Sequence, residues 1–125
     1  MILDADVLID LLRLRPNAMR WLRSMAEPPA TSGISAVEVL YGAQNMAEQR
    51  NVDIWLRQFE ILWPSEADAE TARLLARYRL SDGIELTDAI TAAIALRHNM
   101  SLVTFNVKHF RAIPGLSTLQ PYERT

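Results

Sequence analysis

The chain opens with the sequence Met1-Ile2-Leu3-Asp4-Ala5-Asp6-Val7-Leu8-Ile9-Asp10. A short apolar run ends here in a carboxylate, and more apolar residues follow. The pattern predicts a buried strand over residues 2–4, with Asp4 at its carboxyl end. In open parallel α/β sheets, ligands bind in the crevice beyond the carboxyl ends of the strands. An acid is costly to bury there and useful for holding a metal ion, so the opening predicts a site at the sheet edge.

The rest of the chain alternates between candidate strands and helical patterns. Further strands are predicted at residues 31–34, 60–63, 102–105 and 118–119. Helical patterns cover residues 17–26, the apolar stripe from Val52 to Phe59, residues 66–80 and residues 88–98. Strands that alternate with helices imply a parallel sheet with right-handed crossovers.

Composition limits both the kind of site and the cellular compartment. The 125 residues are expected to form a single domain, 1–125, and include no cysteine. Carboxylate and amide ligands suit Mg²⁺ or Mn²⁺ better than zinc. No apolar run reaches the roughly 20 residues of a membrane span, and the N-terminus lacks the basic region of a signal peptide, so a cytoplasmic protein is expected. The net charge of −2 predicts no overall attraction to nucleic acid, although divalent ions can offset an acidic site locally.

Four polar residues follow predicted strands or begin predicted helices, and a parallel sheet can bring them to one edge. They are Asp4, Glu38, Asp88 and Asn106. Two carboxylates about 5 Å apart repel by about 3 kcal/mol at an effective dielectric near 20. Several such pairs would approach the whole stability of a domain, about 5–15 kcal/mol. If the acids converge, a cation or a proton is expected among them.

The acids also have ordinary structural interpretations. Asp4 or Asp6 can cap a helix that starts near Val7, and Asp6 is also a candidate to hold a water molecule of the metal. Ser35 and Glu38 have the spacing of a capping box, which would place Glu38 in the first turn of a helix. Both interpretations are compatible with a ligand at the start of a helix.

Asp88 opens an alanine-rich helix for which Thr87 is the candidate N-cap, and an acid in the first turn favours the helix dipole. Thr91, Ala92 and Ala95 share its helical face. They are small or polar, which would leave room beside the carboxylate for a ligand.

The segment 102–110 runs from a strand into a loop that carries amide, ammonium and imidazole groups. These belong to Asn106, Lys108 and His109. For Lys108 and His109, a structural role and a role in catalysis are both open. Asp10, in contrast, is expected to be a solvated helix residue.

Taken in order, these segments resemble the motifs of the PIN-domain family, particularly the VapC-type ribonuclease toxins of prokaryotic toxin–antitoxin pairs. The similar segments are residues 3–9, 34–43, 86–95 and 102–116. In the first motif of the family, Asp is followed by Thr-Asn, whereas Ala5 and Asp6 stand here. His109 falls where many members have an acid. The resemblance covers nearly the whole chain.

The resemblance implies a three-layer α/β/α sandwich with a mostly parallel central sheet, and a metal-dependent endoribonuclease. Asp4, Glu38 and Asp88 would form the acidic cluster. Mg²⁺ or Mn²⁺ would activate water and neutralise charge on the phosphate. Asp4 and Asp88 would be the main metal ligands, and Glu38 a ligand or the group that orients the attacking water. Asn106 would fix a carboxylate or the substrate, and Thr104 could hydrogen-bond a neighbouring acid.

The resemblance also implies partners, because members are usually homodimers inhibited by a small antitoxin. RNA, with tRNA among the candidates, is the expected substrate, and no membrane is expected. An exposed tryptophan would suit a protein interface, and Trp21 is a candidate because it lies away from the centre of the apolar stripe of its helix. At least two of the three tryptophans are expected to pack in the core. Four arginines near the N-terminus either contact RNA phosphates or form a solvated face: Arg13, Arg15, Arg20 and Arg23.

Two alternatives stay open. In a haloacid-dehalogenase-like phosphotransferase, Asp4 would be the nucleophile, and Asp82 with Asp88 loosely resembles the late acidic motif. That family needs a basic residue before the late acids, whereas the only lysine, Lys108, follows them. The other alternative is a catalytically degenerate PIN domain that scaffolds a partner. Its three acids argue against it, and His109 in place of a fourth acid argues for it.

Overall fold

The computed structural model describes residues 1–124, in which five strands form one sheet with parallel pairing throughout. The strands are β1 (Ile2–Leu3), β2 (Ala30–Ser32), β3 (Glu60–Leu62), β4 (Leu102–Val103) and β5 (Thr118–Leu119). They lie in the order β3-β2-β1-β4-β5. All five predicted strands are present, and the parallel sheet is confirmed.

Eight helices connect the strands within the described residues. They are α1 (Ala5–Leu12), α2 (Pro16–Arg23), α3 (Gly33–Tyr41), α4 (Met46–Leu56), α5 (Glu66–Leu75), α6 (Tyr78–Asp82), α7 (Leu86–Arg97) and α8 (Val107–Phe110). The single helix predicted over residues 66–80 is in fact α5 followed by α6. Leu75 and Tyr78 pack against the same core on either side of the break, so the apolar pattern continues through it and does not reveal it.

The two faces of the sheet carry separate apolar cores, because successive strand residues point to opposite faces. Ile2 and Leu102 pack with α5, α7 and α8 on one face. Leu3 and Val103 pack with α1, α2, α3 and α4 on the other face. Helices therefore cover both faces, which confirms the three-layer α/β/α sandwich. Among residues 1–124, no helix is long and apolar enough to cross a membrane.

The helix that carries Glu38 begins earlier than the capping-box spacing predicts. Ser32, the last residue of β2, is the N-cap of α3, and its Oγ accepts a hydrogen bond of 3.2 Å from the N–H of Ile34. Ser35 is instead buried inside the helix, so Glu38 lies in the second turn and the predicted capping box is wrong. Gly33 allows this tight passage from strand to helix, since a Cβ there would collide with the Trp63 ring.

Candidate functional site

The carboxyl ends of β1, β2 and β4 meet at one edge of the sheet, because these three strands are neighbours in parallel register. Asp4 follows β1 directly and caps α1. Thr104 follows β4, and α3 leaves β2 at the same edge carrying Glu38. Asp88 joins them from the first turn of α7. The topology thus brings the acidic residues predicted from the sequence towards one place.

Asp4 is buried, with 6% of its surface exposed. Its Oδ1 accepts a hydrogen bond of 2.9 Å from the Ala5 N–H, as expected of a helix cap, and its Oδ2 accepts one of 2.9 Å from the Thr104 hydroxyl. Burial, and then the negative charge of Asp6, nevertheless raise the pKa of Asp4 from 3.8 to about 7, with a smaller contribution from Asp88. None of the groups that act on its pKa is a cation, so its negative charge is not compensated. Capping and a role in the site coexist in this residue, and Thr104 hydrogen-bonds an acid as predicted.

Asp6 ties α1 to the segment that follows β4. Its Oδ1 accepts from the Val7 N–H at 2.8 Å, while its Oδ2 accepts from the Phe105 N–H at 2.9 Å and lies 3.3 Å from the Thr104 hydroxyl. Burial raises the pKa of Asp6, although the two N–H groups and Arg124 oppose that rise. Because both oxygens bond backbone amides, the geometry favours Asp6 as a structural bridge rather than as a holder of water.

Glu38 and Asp88 complete the group of acids. Glu38 lies on α3, and its residue surface is largely exposed. Its pKa is nevertheless raised, mainly because its carboxyl is partly desolvated and to a smaller extent because of the charges of Asp88 and Asp6. Asp88 Oδ2 accepts a hydrogen bond of 3.0 Å from the Glu85 N–H. The N-cap of α7 is therefore Glu85, and the predicted N-cap, Thr87, lies inside the helix. Acids from three different helices thus act on one another electrostatically.

The small residues that share the helical face of Asp88 pack in the interior of the protein. Thr91, Ala92 and Ala95 are all buried. Thr91 Oγ1 donates to Ser32 Oγ at 3.2 Å. Their small volume serves close packing of α7 on the sheet.

Asn106 begins α8 at the same edge. Its backbone N–H donates to Thr104 Oγ1 at 3.1 Å, and its side chain is exposed, as is that of Lys108. The amide of Asn106 is therefore available to a ligand. His109 is partly buried, and its Nδ1 lies 3.6 Å from Asp88 Oδ2.

The donor chemistry of this edge fits a hard divalent cation. Carboxylate and amide oxygens are the groups that Mg²⁺ and Mn²⁺ prefer. The pKa values of Asp4 and Glu38 are raised partly by neighbouring acids, which indicates an accumulation of negative charge at this edge. Within residues 1–124, however, no three His, Asp or Glu side chains stand close enough to hold one ion. The acids are gathered but do not form a finished coordination shell, so ligation would require side-chain movement.

Asp10 is buried rather than solvated, which corrects the expectation. Its carboxylate accepts hydrogen bonds from Arg124 Nε at 3.0 Å and from the Tyr122 hydroxyl at 2.9 Å. Arg124 also donates to the Asp6 carbonyl at 3.1 Å and lies 4.0 Å above the Phe105 ring. Burial, and then the bond to Asp10, raises the pKa of Tyr122. We call residues 122–124 the C-terminal latch; the sequence pattern gave no signal for it.

A groove of about 640 Å³ extends from Asp6 along α1 to the C-terminal latch. Its charged lining residues are Asp6, Asp10, Glu123, Arg13, Arg15 and Arg124. Of the four arginines noted near the N-terminus, Arg13 and Arg15 line this groove, whereas Arg20 and Arg23 do not. The basic groups of the groove thus lie beside the acidic edge.

The exposed tryptophan is Trp63 rather than Trp21. Trp63 is 58% exposed, whereas Trp21 and Trp55 pack against the core on the α1 side of the sheet. Trp21 also contacts Tyr122 of the latch, with the ring centroids 6.4 Å apart. The expectation that at least two tryptophans pack in the core is met in part, because Trp21 and Trp55 are half-buried and pack against the core rather than within it.

Comparisons with known proteins agree with this architecture. The sequence model of the PIN domain matches residues 1–116. The chain is similar to a solved toxin–antitoxin complex from Klebsiella pneumoniae, with 33% identity, a TM-score of 0.81 and coverage of 98% of both chains. It is also similar to VapBC2 from Rickettsia felis bound to a promoter DNA fragment, with 25% identity, a TM-score of 0.74 and coverage of 94% of this chain and 96% of that one. It is similar as well to VapBC-1 from nontypeable Haemophilus influenzae, with 26% identity, a TM-score of 0.75 and coverage of 94% of this chain and 95% of that one. Curated proteins give no match.

Proposed function

Since the chain belongs to the PIN-domain family, we propose that it is a Mg²⁺- or Mn²⁺-dependent endoribonuclease that acts as the toxin of a toxin–antitoxin pair. PIN-domain proteins are nucleases in general and use divalent metal ions. The observation that carries the proposal is Asp4, a buried carboxyl whose pKa rises to about 7 among other acids. Burying a carboxyl without a cation beside it costs stability, and a strongly raised pKa within a group of acids is typical of functional sites.

Each residue of the edge has a role that its surroundings support. Asp4 and Asp88 would be the main metal ligands, with Thr104 holding one oxygen of Asp4 in place. Glu38 would be a ligand or would orient the attacking water, since its pKa is raised by partial burial and by the charge of Asp88, which places its carboxylate near the same site. The exposed amide of Asn106 would fix the substrate phosphate or a carboxylate. The cation, when bound, would supply the positive charge that activates water and stabilises the phosphate in the transition state.

The groove beside Asp6 is the proposed path for RNA. Arg13 and Arg15 are exposed there, and within residues 1–124 neither forms an ion pair with an acid. Arginine side chains of this kind bind phosphates by charge-assisted hydrogen bonds. Local positive charge can therefore attract RNA, tRNA among the candidates, although the whole chain carries a net charge of −2.

The toxin part of the proposal rests on the solved relatives, which are complexes of a toxin with its antitoxin. A small antitoxin would inhibit the nuclease, and a homodimer is the expected assembly. The exposed Trp63 offers an aromatic anchor of the kind that protein interfaces use. The haloacid-dehalogenase-like alternative has no such support, since the matching family is the PIN domain.

The test is cleavage of RNA by the purified, partner-free protein with Mg²⁺ or Mn²⁺, against an EDTA control. Asp4→Asn should abolish cutting, while Asp53→Asn, the same change at an exposed position of α4, should not. Cutting that persists in Asp4→Asn would contradict the assignment of the site. If the wild type binds Mn²⁺ but cuts neither total RNA nor a tRNA pool, the catalytically degenerate scaffold becomes the better description.

A further inference from the structure

His109 carries a buried polar atom that the functions described so far do not use. Its Nδ1 is inaccessible to solvent and has no hydrogen-bond partner within residues 1–124. The imidazole is otherwise partly exposed and belongs to α8, directly after Val107 and Lys108. Buried polar atoms without partners are rare in native proteins, and each one calls for an explanation, such as an ion.

The surroundings of Nδ1 are negative. Asp88 Oδ2 is 3.6 Å away, beyond the range of a hydrogen bond, and that oxygen already accepts from the Glu85 N–H. Asp4 and Glu38 add to this negative charge. Both lie close enough to Asp88 for its charge to raise their pKa values. If Nδ1 presents its lone pair, two acceptors face each other across this gap, and a cation bound by both would turn repulsion into attraction.

The separation also suits two ligands of one ion. With metal–ligand distances near 2.1 Å, neighbouring donors lie roughly 3.0 to 3.4 Å apart in octahedral or tetrahedral shells. The observed 3.6 Å between Nδ1 and Asp88 Oδ2 exceeds this range by only a few tenths of an ångström. A small rotation of either side chain would close the difference.

We propose that His109 Nδ1 is a direct nitrogen ligand of the metal ion held by Asp88 and Asp4, and that it makes the site prefer Mn²⁺ over Mg²⁺. The inference rests on the proposed function, because it concerns the same metal site. Imidazole nitrogen is a softer ligand than carboxylate oxygen and binds Mg²⁺ poorly, whereas Mn²⁺ accepts it more readily. The affinities of this site for Mn²⁺ and Mg²⁺ would therefore differ more than the affinities of a site with oxygen ligands alone.

The probe for the test is Mn²⁺ itself, bound to the metal-free protein and observed by pulsed electron paramagnetic resonance. A directly bound imidazole gives a ¹⁴N hyperfine coupling that a carboxylate cannot give. The chain has two histidines, and the other, His98, ends α7 as its C-cap. His98→Gln should keep the coupling, and His109→Gln should lose it.

A second measurement leaves His109 intact, in case His109→Gln fails to fold. In His98→Gln protein grown with ¹⁵N-histidine, the only labelled imidazole is that of His109, and the coupling should change from ¹⁴N to ¹⁵N. Calorimetry should show a Mn²⁺ affinity at least about tenfold lower in His109→Gln, with a smaller change for Mg²⁺. His109→Asp should recover Mg²⁺ binding and reduce the preference for Mn²⁺.

The outcomes separate this inference from the proposed function. Mn²⁺ bound without nitrogen coupling, or with a coupling that survives in His109→Gln, would overturn the ligand role and leave the nuclease proposal standing. A wild-type protein that binds Mg²⁺ but no Mn²⁺ would overturn the ligand role alone, and one that binds neither ion would overturn both proposals.

Discussion

Thr104 and Asp4 are joined by a hydrogen bond of 2.9 Å, although 100 positions separate them in the chain. The Thr104 hydroxyl also accepts from the Asn106 N–H at 3.1 Å. Leu3 and Val103, the last residues of β1 and β4, are register partners, so the residues that follow them meet at the sheet edge. An uncharged side chain therefore positions both Asp4 and the loop that carries Asn106.

Thr104→Val should weaken this edge without changing its shape. It leaves a buried carboxylate oxygen of Asp4 and the N–H of Asn106 without their partner, which should lower the free energy of unfolding by about 1–3 kcal/mol. Mn²⁺ affinity should also fall, because Asp4 is no longer held in place. Urea unfolding and calorimetry measure the two effects. Thr104→Ser, which keeps the hydroxyl, is the control, and a Thr104→Val protein equal to wild type in both would contradict the argument.

The raised pKa of Asp4 predicts that stability falls as pH rises in the absence of metal. The folded state holds this proton up to a pH of about 7, whereas the unfolded chain releases it near 3.8. The unfolded state therefore binds fewer protons between these values, and the free energy of unfolding decreases by on the order of 4 kcal/mol across this window. Asp4→Asn removes this contribution of Asp4, while the raised pKa values of Asp6 and Glu38 keep a pH dependence of the same sign.

Urea unfolding in EDTA from pH 4 to pH 8 tests whether the free energy of unfolding decreases as pH rises. Asp4→Asn should match the wild type near pH 4 and exceed it at pH 8, while Asp53→Asn should follow the wild type throughout. Added Mn²⁺ should stabilise the wild type at pH 8 and have little effect on Asp4→Asn. An Asp4→Asn protein that is less stable than the wild type at pH 8 in EDTA would show that the charge is compensated by some other group.

The C-terminal latch should contribute to stability through Arg124. Arg124→Ala removes two hydrogen bonds to the buried Asp10 carboxylate, which should cost about 1–3 kcal/mol. It also uncovers the Phe105 ring, so limited proteolysis should cut the latch sooner. Arg111→Ala, at an exposed position after α8, is the matched control. Equal urea midpoints for the two variants would mean that the latch is only loosely held.

The sequence predicts β1 and β4 well because each is a short apolar run that is followed by a polar residue. The bond between Thr104 and an acid follows from the family resemblance, and the parallel register of β1 and β4 gives its physical reason. The start of α3 is not predictable from the sequence, because Ser32 and Ser35 can both cap a helix. The local pattern does not indicate which residue ends β2. Asp10 was expected to be solvated for a different reason: its partners Tyr122 and Arg124 lie 112 and 114 positions away, beyond the reach of any periodicity.

RNA binding should depend on salt through the groove arginines. If Arg13 and Arg15 each contact one phosphate of a single strand, the double variant Arg13→Ala with Arg15→Ala should reduce the slope of log affinity against log salt by about 1 to 2. The matched control is Arg20→Ala with Arg23→Ala, which removes the same charge from α2 outside the groove and should leave the slope nearly unchanged. Binding is measured on the Asp4→Asn background, so that cleavage does not interfere. A larger loss of slope in the α2 pair would move the RNA path from the groove to the face of α2, because counterion release follows the arginines that touch phosphate and not the net charge of the chain.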